Sequence, residues 1–218
     1  MTLPEGVERR TFDGESALAT RGEPVYGEAT DGEWRRWDPS RSKLGAMLEM
    51  GLDTGLGAGQ TVLYLGAANG TTVSHVADVA GTTYAVEFAP RPARDLVEVA
   101  ATRPRLIPLL ADARRPETYA HVVESGLDFV VQDVATRGQA RVATQNARFL
   151  DPEGRLVAAI KARSEDVTSD PETVFEAVLD ELAGTYEIET TARLEPYHVD
   201  HLAVVARPRG GSPTSRSI

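Results

Sequence analysis

TVLYLGAANGTTVSHVADVAGTTYAVEF, residues 61–88, decides the fold, because it reads as a strand, a tight turn, a helix and a second strand. The apolar run Thr61 to Leu65 stops at Gly66, and small residues follow through Gly66-Ala67-Ala68-Asn69-Gly70-Thr71. Thr72 to Val79 then carries helical spacing, and Thr83 to Phe88 is rich in β-formers. Apolar strands alternating with amphipathic helices are the pattern of a parallel sheet wrapped by helices.

The alternation continues downstream. Arg105 to Leu109, Leu127 to Asp133 and Gly154 to Lys161 read as strands. Pro92 to Ala101, Pro116 to Glu124 and Thr136 to Phe149 read as helices between them. A helix over Pro171 to Ala183 follows, with Asp170 as cap and proline in the first turn. Two β-like runs, Tyr186 to Leu194 and His201 to Arg207, lie close enough to pair as a hairpin. Alternating βα units closed by a helix and a hairpin predict an α/β fold, the Rossmann-like seven-stranded sheet of S-adenosylmethionine-dependent methyltransferases. A dinucleotide-binding enzyme would open with G-x-G-x-x-G and end on a sixth parallel strand.

Upstream, residues 1–38 hold Gly, Pro and scattered β-formers, which predicts a small β-rich N-terminal domain. Ser40 to Leu52 reads as a helix with Asp38 or Ser40 as cap and Leu44, Met47 and Leu48 on one face. The methyltransferase domain is expected over 39–208 and a flexible tail over 209–218.

Composition narrows the chemistry. Of the 23 basic residues only Lys43 and Lys161 are lysine. An ammonium gives up its proton when desolvated or set beside another cation, whereas a guanidinium does not. Those two positions are therefore candidates for proton handling. There is no cysteine, which excludes thiolate catalysis and disulfides, and the 4 histidines show no metal-binding spacing, so no metal is expected. The net charge of -10 argues against a general nucleic-acid coat and suits a surface kept soluble at high salt. No apolar run is long enough for a membrane span, and the expected location is cytoplasmic.

Three strand ends converge on a ligand. The turn at Gly66 lets backbone amides approach it. Glu87 ends the second strand, where a carboxylate accepts both hydroxyls of a ribose. Asp112 follows the third strand, where it can bind an adenine amino group or simply cap the next segment. With no phosphate-cradling loop, S-adenosylmethionine fits better than a nucleotide.

Seven stretches resemble the archaeal fibrillarin-like RNA 2′-O-methyltransferases, in that family's order: EWRRWDPSRSKLGAML (33–48), VLYLGAANGTTVSHVADVAG (62–81), YAVEFAPR (84–91), IPLLADARRPETY (107–119), QDVAT (132–136), AIKARSEDVT (159–168) and LEPYHVDHLAVV (194–205). The resemblance implies S-adenosylmethionine against Gly66, Thr71, Thr72, Glu87, Phe88, Asp112, Ala113 and the run Asp133, Val134, Ala135, Thr136. It implies a catalytic tetrad of Lys43, Asp133, Lys161 and His201, so both lysines singled out by composition fall inside it. The chain departs from the usual family wording at Asn69, Gln132, Thr136 and Ala162, and Gln132 removes a charge beside Asp133.

Ribose 2′-O-methylation requires a poor acid to lose its proton as the new bond forms. Lys161 is the residue expected to take it, with Asp133 holding that lysine, Lys43 as the second cation and His201 completing the network. No RRM or KH motif reads RNA sequence here. The resemblance implies instead that a box C/D guide RNA selects sites in rRNA or tRNA. It also implies recruitment by a Nop-domain scaffold protein beside a kink-turn-binding ribosomal-type protein. Arg35, Arg36 and Arg163 are candidate phosphate contacts. A stand-alone small-molecule or protein methyltransferase, and a non-catalytic assembly subunit, are the alternatives.

Overall fold

The computed structural model describes residues 3–210. The expected tail lies, apart from its first two residues, outside the described residues. Strands β1 (Glu8–Phe12), β2 (Glu15–Arg21), β3 (Thr30–Asp31) and β4 (Trp34–Trp37) form a four-stranded antiparallel sheet in the order β1-β2-β4-β3. Helix α1 (Lys43–Glu49) follows it. The remainder alternates β5 (Val62–Leu65), α2 (Thr71–Val79), β6 (Thr83–Glu87), α3 (Pro90–Ala100), β7 (Leu106–Leu110), β8 (Leu127–Gln132), α4 (Gln139–Asn146) and β9 (Leu150–Lys161). It closes with α5 (Ala162–Glu165), α6 (Pro171–Leu182), β10 (Tyr186–Arg193) and β11 (His201–Pro208).

The large sheet has seven strands in the order β10-β11-β9-β8-β5-β6-β7. β5 to β9 run parallel, and β11 pairs antiparallel with both β9 and β10, as the terminal hairpin predicts. Side chains alternate across the pleat, so Val62 and Tyr64 enter one apolar layer while Leu63 and Leu65 enter the other. The first layer packs under Leu44 and Met47 of α1, Val73 and Val76 of α2 and Leu96 of α3. The second packs under Ala140 and Ala143 of α4 and Val174, Phe175 and Val178 of α6.

Several boundaries differ from the sequence reading. The helix expected over Pro116–Glu124 is only a 3₁₀ turn, Pro116–Thr118, because Tyr119 and Val123 are both pulled into the core and the Tyr119 hydroxyl donates to buried Asn146. The helix expected from Ser40 starts at Lys43 instead. Its cap is Ser42, whose Oγ accepts from Gly45 N–H at 2.9 Å, while Asp38 caps only a local turn through Ser40 N–H. α4 starts at Gln139 rather than Thr136, because Gly138 at φ +79° redirects the chain. Asp170 caps α6 as expected, accepting from Glu172 N–H.

The small sheet is fastened to α2 by buried polar groups. Arg35 is fully buried and donates to Glu28, to Asp78 and to Ser74 Oγ. Arg103 reaches the same Asp78 at 2.9 Å. His75 stacks on Trp37 with ring centroids 4.8 Å apart, and its two nitrogens meet the hydroxyls of Thr20 and Tyr26. Arg35 is thus a structural charge, which corrects its assignment as a phosphate contact. A guanidinium that is 0% exposed and already bonded to two carboxylates and a serine is out of reach of a backbone phosphate.

Candidate active site

The strand order reverses at β5, since the chain runs outward through β6 and β7 and returns as β8 on the other side. The connections that leave the carboxyl ends of β5 and β8, to α2 and α4, therefore run to opposite faces of the sheet and leave a crevice between them. Leu65 leads into Gly66 there, and Gln132 leads into Asp133, whose N–H bonds Leu65 C=O at 2.9 Å. Gly66 holds φ +86°, and a Cβ on it would sit 2.4 Å from the Asp133 carbonyl oxygen. Only glycine permits that approach.

A cleft of about 290 Å³ opens at this point. Gly66, Glu87, Phe88, Asp112, Ala113 and the run from Asp133 to Thr136 all line it. Thr71 and Thr72 do not. Thr71 donates its hydroxyl to Asn69 at the start of α2, and Thr72 is buried against Tyr64. Ala68, Val86 and Arg114 also line the cleft, and sequence reasoning missed them. A second cleft of about 340 Å³, beyond the end of α1, has Asp53 as its one titratable side chain and no comparable constellation.

Glu87 is buried, and its two oxygens accept the N–H groups of Ala68 and Ala89, each at 2.8 Å. These bonds fix the carboxylate plane and leave a lone pair on each oxygen for a neighbouring hydroxyl pair. Asp112 is gripped by Arg114, which donates from Nε and Nη2 at 2.6–3.0 Å. That bond, with the Arg114 charge, holds the Asp112 carboxyl below the usual range. Phe88 stands 67% exposed beside the cleft, an apolar face available to a planar ring.

Of the positions expected to form a tetrad, Lys43 and Asp133 meet at this crevice. Lys43 Nζ lies 3.1 Å from Asp133 Oδ1, both partly buried. Lys43 is the first residue of α1, and that helix start is pinned several times over. Ser42 Oγ accepts from Trp37 Nε1 as well as from Gly45, and a Cβ on Gly45 would press 2.8 Å from that indole nitrogen. His198 Nε2 donates to the Pro39 carbonyl at 2.8 Å, tying the loop before α1 to the loop before β11.

Lys161 and His201 face each other across the β9–β11 ladder, so their side chains leave the same face of the sheet. His201 Nδ1 donates to Val199 C=O at 2.7 Å, which leaves Nε2 as the free acceptor of the neutral ring. Burial pushes the His201 imidazole down, as do the charges of Lys43 and His198, so the ring is neutral near pH 7. The expected partner of Asp133 was Lys161; the ion pair is made with Lys43 instead, because α1 delivers its ammonium directly over the end of β8. Among the described residues Lys161 has no carboxylate within ion-pair distance.

Beneath the cleft the buried Tyr64 hydroxyl is pushed well up by burial and by the charge of Asp133, so it stays protonated. Arg163 pairs with Asp200 at 2.9 Å, and Arg36 lies 3.5 Å from Glu15. No helix among the described residues is long and apolar enough to cross a membrane, and those residues contain no cluster suited to a metal ion.

Comparison with known proteins agrees with this geometry. A family profile described as Fibrillarin matches residues 9–210. A Haloarcula marismortui protein named fibrillarin-like rRNA/tRNA 2′-O-methyltransferase is 71% identical over 209 residues, covering 96% of this chain and 99% of that protein. The fibrillarin of a fibrillarin/Nop5p complex superposes with a TM-score of 0.87 at 39% identity, over 96% of this chain and 100% of the other. Aeropyrum pernix fibrillarin, solved with natively bound S-adenosyl-L-methionine, gives a TM-score of 0.84 at 41% identity, over 94% and 96% of the two chains.

Proposed function

The chain belongs to the fibrillarin family, and from that premise we propose that it methylates the 2′-hydroxyl of ribose in rRNA and tRNA, using S-adenosylmethionine. The observation that carries the proposal is the Lys43–Asp133 ion pair at the mouth of the cleft, with Lys161 and His201 facing each other on the adjoining ladder. Family membership makes a Nop-domain scaffold the protein partner. Site selection is assigned to a box C/D guide RNA, in a particle completed by a kink-turn-binding protein. The acidic chain carries no RRM or KH motif, and Arg36 and Arg163 are already paired with Glu15 and Asp200.

The cleft suits the cofactor. Its Gly66 wall admits a close-lying backbone edge, Glu87 offers two fixed oxygens to a ribose diol, and Phe88 with Asp112 offers an apolar face and an acceptor to an adenine. Using Asp112 that way requires Arg114 to give up at least one of its hydrogen bonds. When bound, S-adenosylmethionine supplies an electrophilic methyl on a positively charged sulfur.

The residues of this chain then handle the acceptor. Asp133 holds the Lys43 ammonium at the end of β8, placing a positive charge where an alkoxide develops. Lys161 takes the proton that the 2′-oxygen releases as the oxygen–carbon bond forms and the carbon–sulfur bond breaks. The neutral His201, its Nδ1–H fixed on Val199, presents Nε2 as an acceptor that orients the hydroxyl or the lysine. Positioning supplies the larger share, since near-attack geometry is worth roughly 7–11 kcal/mol and a general base about 10²–10⁴-fold.

The test is transfer from methyl-labelled cofactor to target RNA in the presence and absence of guide RNA and scaffold protein. Label on a single ribose 2′-oxygen, only in the assembled particle, is the expected result. Equal transfer to a protein or small molecule without RNA would favour the stand-alone alternative and overturn the proposal.

A further inference from the structure

Gln139 is completely buried, yet nothing in the chemistry above uses it. It opens α4, and its side-chain amide turns back onto the end of β9. Oε1 accepts the Lys161 N–H at 2.9 Å, and Nε2 donates to the Lys161 carbonyl at 3.0 Å. The β8–β9 ladder ends at Gln132 and Ala158, so Lys161 projects beyond its neighbour strand on that side. On the other side β11 continues to His201. A primary amide carries the same donor and acceptor as a peptide group, so Gln139 stands in for the missing strand.

Gln139 is itself locked in place. Its backbone N–H and that of Gly138 donate to the two carboxylate oxygens of Glu165 at 2.6 and 2.8 Å, and Nε2 shares a bond with the same carboxylate. Its carbonyl accepts Nε2 of Gln132, the residue before Asp133, at 3.0 Å. The amide at position 132, which removes a charge beside Asp133, therefore has a structural use: a carboxylate there has no N–H to give that carbonyl. The ends of β8 and β9, which carry Asp133 and Lys161, are joined through one residue.

We infer that Gln139 is a positioning residue that fixes Lys161 relative to Asp133 on the acceptor side of the cleft. The inference rests on the reading of Lys161 as the reactive amine, and the experiment separates the two. Single-turnover transfer is measured in the assembled particle at saturating S-adenosylmethionine, for Gln139→Met, Lys161→Ala and the double variant. Gln139→Met keeps the side-chain length and removes the two bonds to Lys161 and the one to Glu165. Its rate should fall about 10–100-fold, the order expected when a reacting group is misplaced by an ångström. Cofactor affinity by calorimetry and half-saturation by RNA should stay within about two-fold, since no cleft-lining group is touched.

In the Lys161→Ala background, followed over long incubations, Gln139→Met should cost nothing more, because the two act as a unit. Equal losses in both backgrounds overturn the inference, as does a wild-type rate for Gln139→Met when Lys161→Ala is inactive. A wild-type rate for Lys161→Ala overturns the underlying reading instead. Should Gln139→Met not fold, Gln139→Leu runs the same cycle. It removes the amide without setting a second carboxylate against Glu165, so a loss confined to the Lys161 background supports positioning and a background-independent loss refutes it.

Discussion

Replacing Arg35 with methionine distinguishes a surface phosphate contact from a buried structural cation. The Arg35 side chain is 0% exposed, with Glu28 and Asp78 at 2% and 4% beside it. Methionine fills similar volume and leaves both carboxylates in the core. Asp78 keeps Arg103 at 2.9 Å, so the uncompensated charge is chiefly that of Glu28. Breaking a buried pair by removing one partner costs about 3–5 kcal/mol, and the survival of the Arg103 contact puts this case near ~3. For a chain of this size that is a fall in thermal midpoint of roughly 6–12 °C.

The pH dependence gives the prediction a second edge. Burial works to raise the Glu28 carboxyl, but hydrogen bonds from backbone N–H groups and from Arg35 outweigh it and leave it below its ordinary value. A depressed carboxyl contributes stability above its unfolded pKa that is lost as pH falls through the folded one. Without Arg35 that depression weakens, the backbone N–H bonds remaining, and Asp78, already raised by burial, rises further. The variant's deficit should therefore be largest near neutrality and shrink as pH falls toward the carboxylate range, where both groups take up protons. Calorimetric melts of Arg35→Met between pH 7 and 5 measure this, with Arg36→Met as control. Arg36 faces the exposed Glu15 at 3.5 Å and should shift the midpoint by no more than a degree or two, about the worth of a surface pair. An Arg35→Met midpoint within about 2 °C of wild type, joined to weakened RNA binding, would refute the buried-charge argument and restore the phosphate contact.

Gly66→Val should weaken S-adenosylmethionine binding by about 100-fold or more by calorimetry, because a Cβ at 2.4 Å from the Asp133 carbonyl forces the cleft wall apart and φ +86° strains any L side chain by ~1–3 kcal/mol. Glu87→Ala should lower cofactor affinity about 10-fold or more, since hydrogen bonds to a charged acceptor are worth ~1.5–3 kcal/mol each; unchanged affinity would refute the ribose assignment. Lys161→Arg should bind cofactor normally and lose most single-turnover transfer, because a guanidinium cannot take the proton; a fully active variant ends the deprotonation role. Burial, with the charges of Arg35 and Arg103, pushes His75 well down, so the unfolded chain takes up a proton that the folded one refuses. Thermal stability should fall as pH drops below about 6.5, and His75→Phe should flatten that limb.

The large sheet was legible because its information is periodic. Each strand is a short apolar run stopped by a turn residue, and the pleat sends alternate side chains of β5 into two layers that cover both faces. The terminal hairpin was legible for the same reason. The segment Pro116–Glu124 failed because periodicity marks which residues are buried and not how: Tyr119 and Val123 reach the core equally well from an irregular loop. The start of α1 failed because Asp38, Ser40 and Ser42 are all competent caps, and a contact distant from the backbone pattern, the Trp37 indole on Ser42 Oγ, selects among them.

The site divides along a similar line. Glu87, Asp112 and Asp133 lie just at or beyond strand ends, so their place around one cleft follows from topology alone. Arginine roles did not follow, because a guanidinium looks the same in sequence whether it faces solvent or, like Arg35, two buried carboxylates. The partner of Asp133 did not follow either. Adjacency in the sheet pointed to Lys161, whereas the ammonium that arrives comes from Lys43 on a helix that the small sheet and the His198–Pro39 bond hold in place. The small sheet thereby bears on the chemistry: Arg35 and the His75 stack fasten β4, which carries Trp37, to α2, Trp37 holds Ser42, and Ser42 sets where Lys43 begins its helix. Loosening that chain at Arg35 should consequently cost transfer activity as well as stability, at temperatures where the variant remains folded and cofactor affinity is intact.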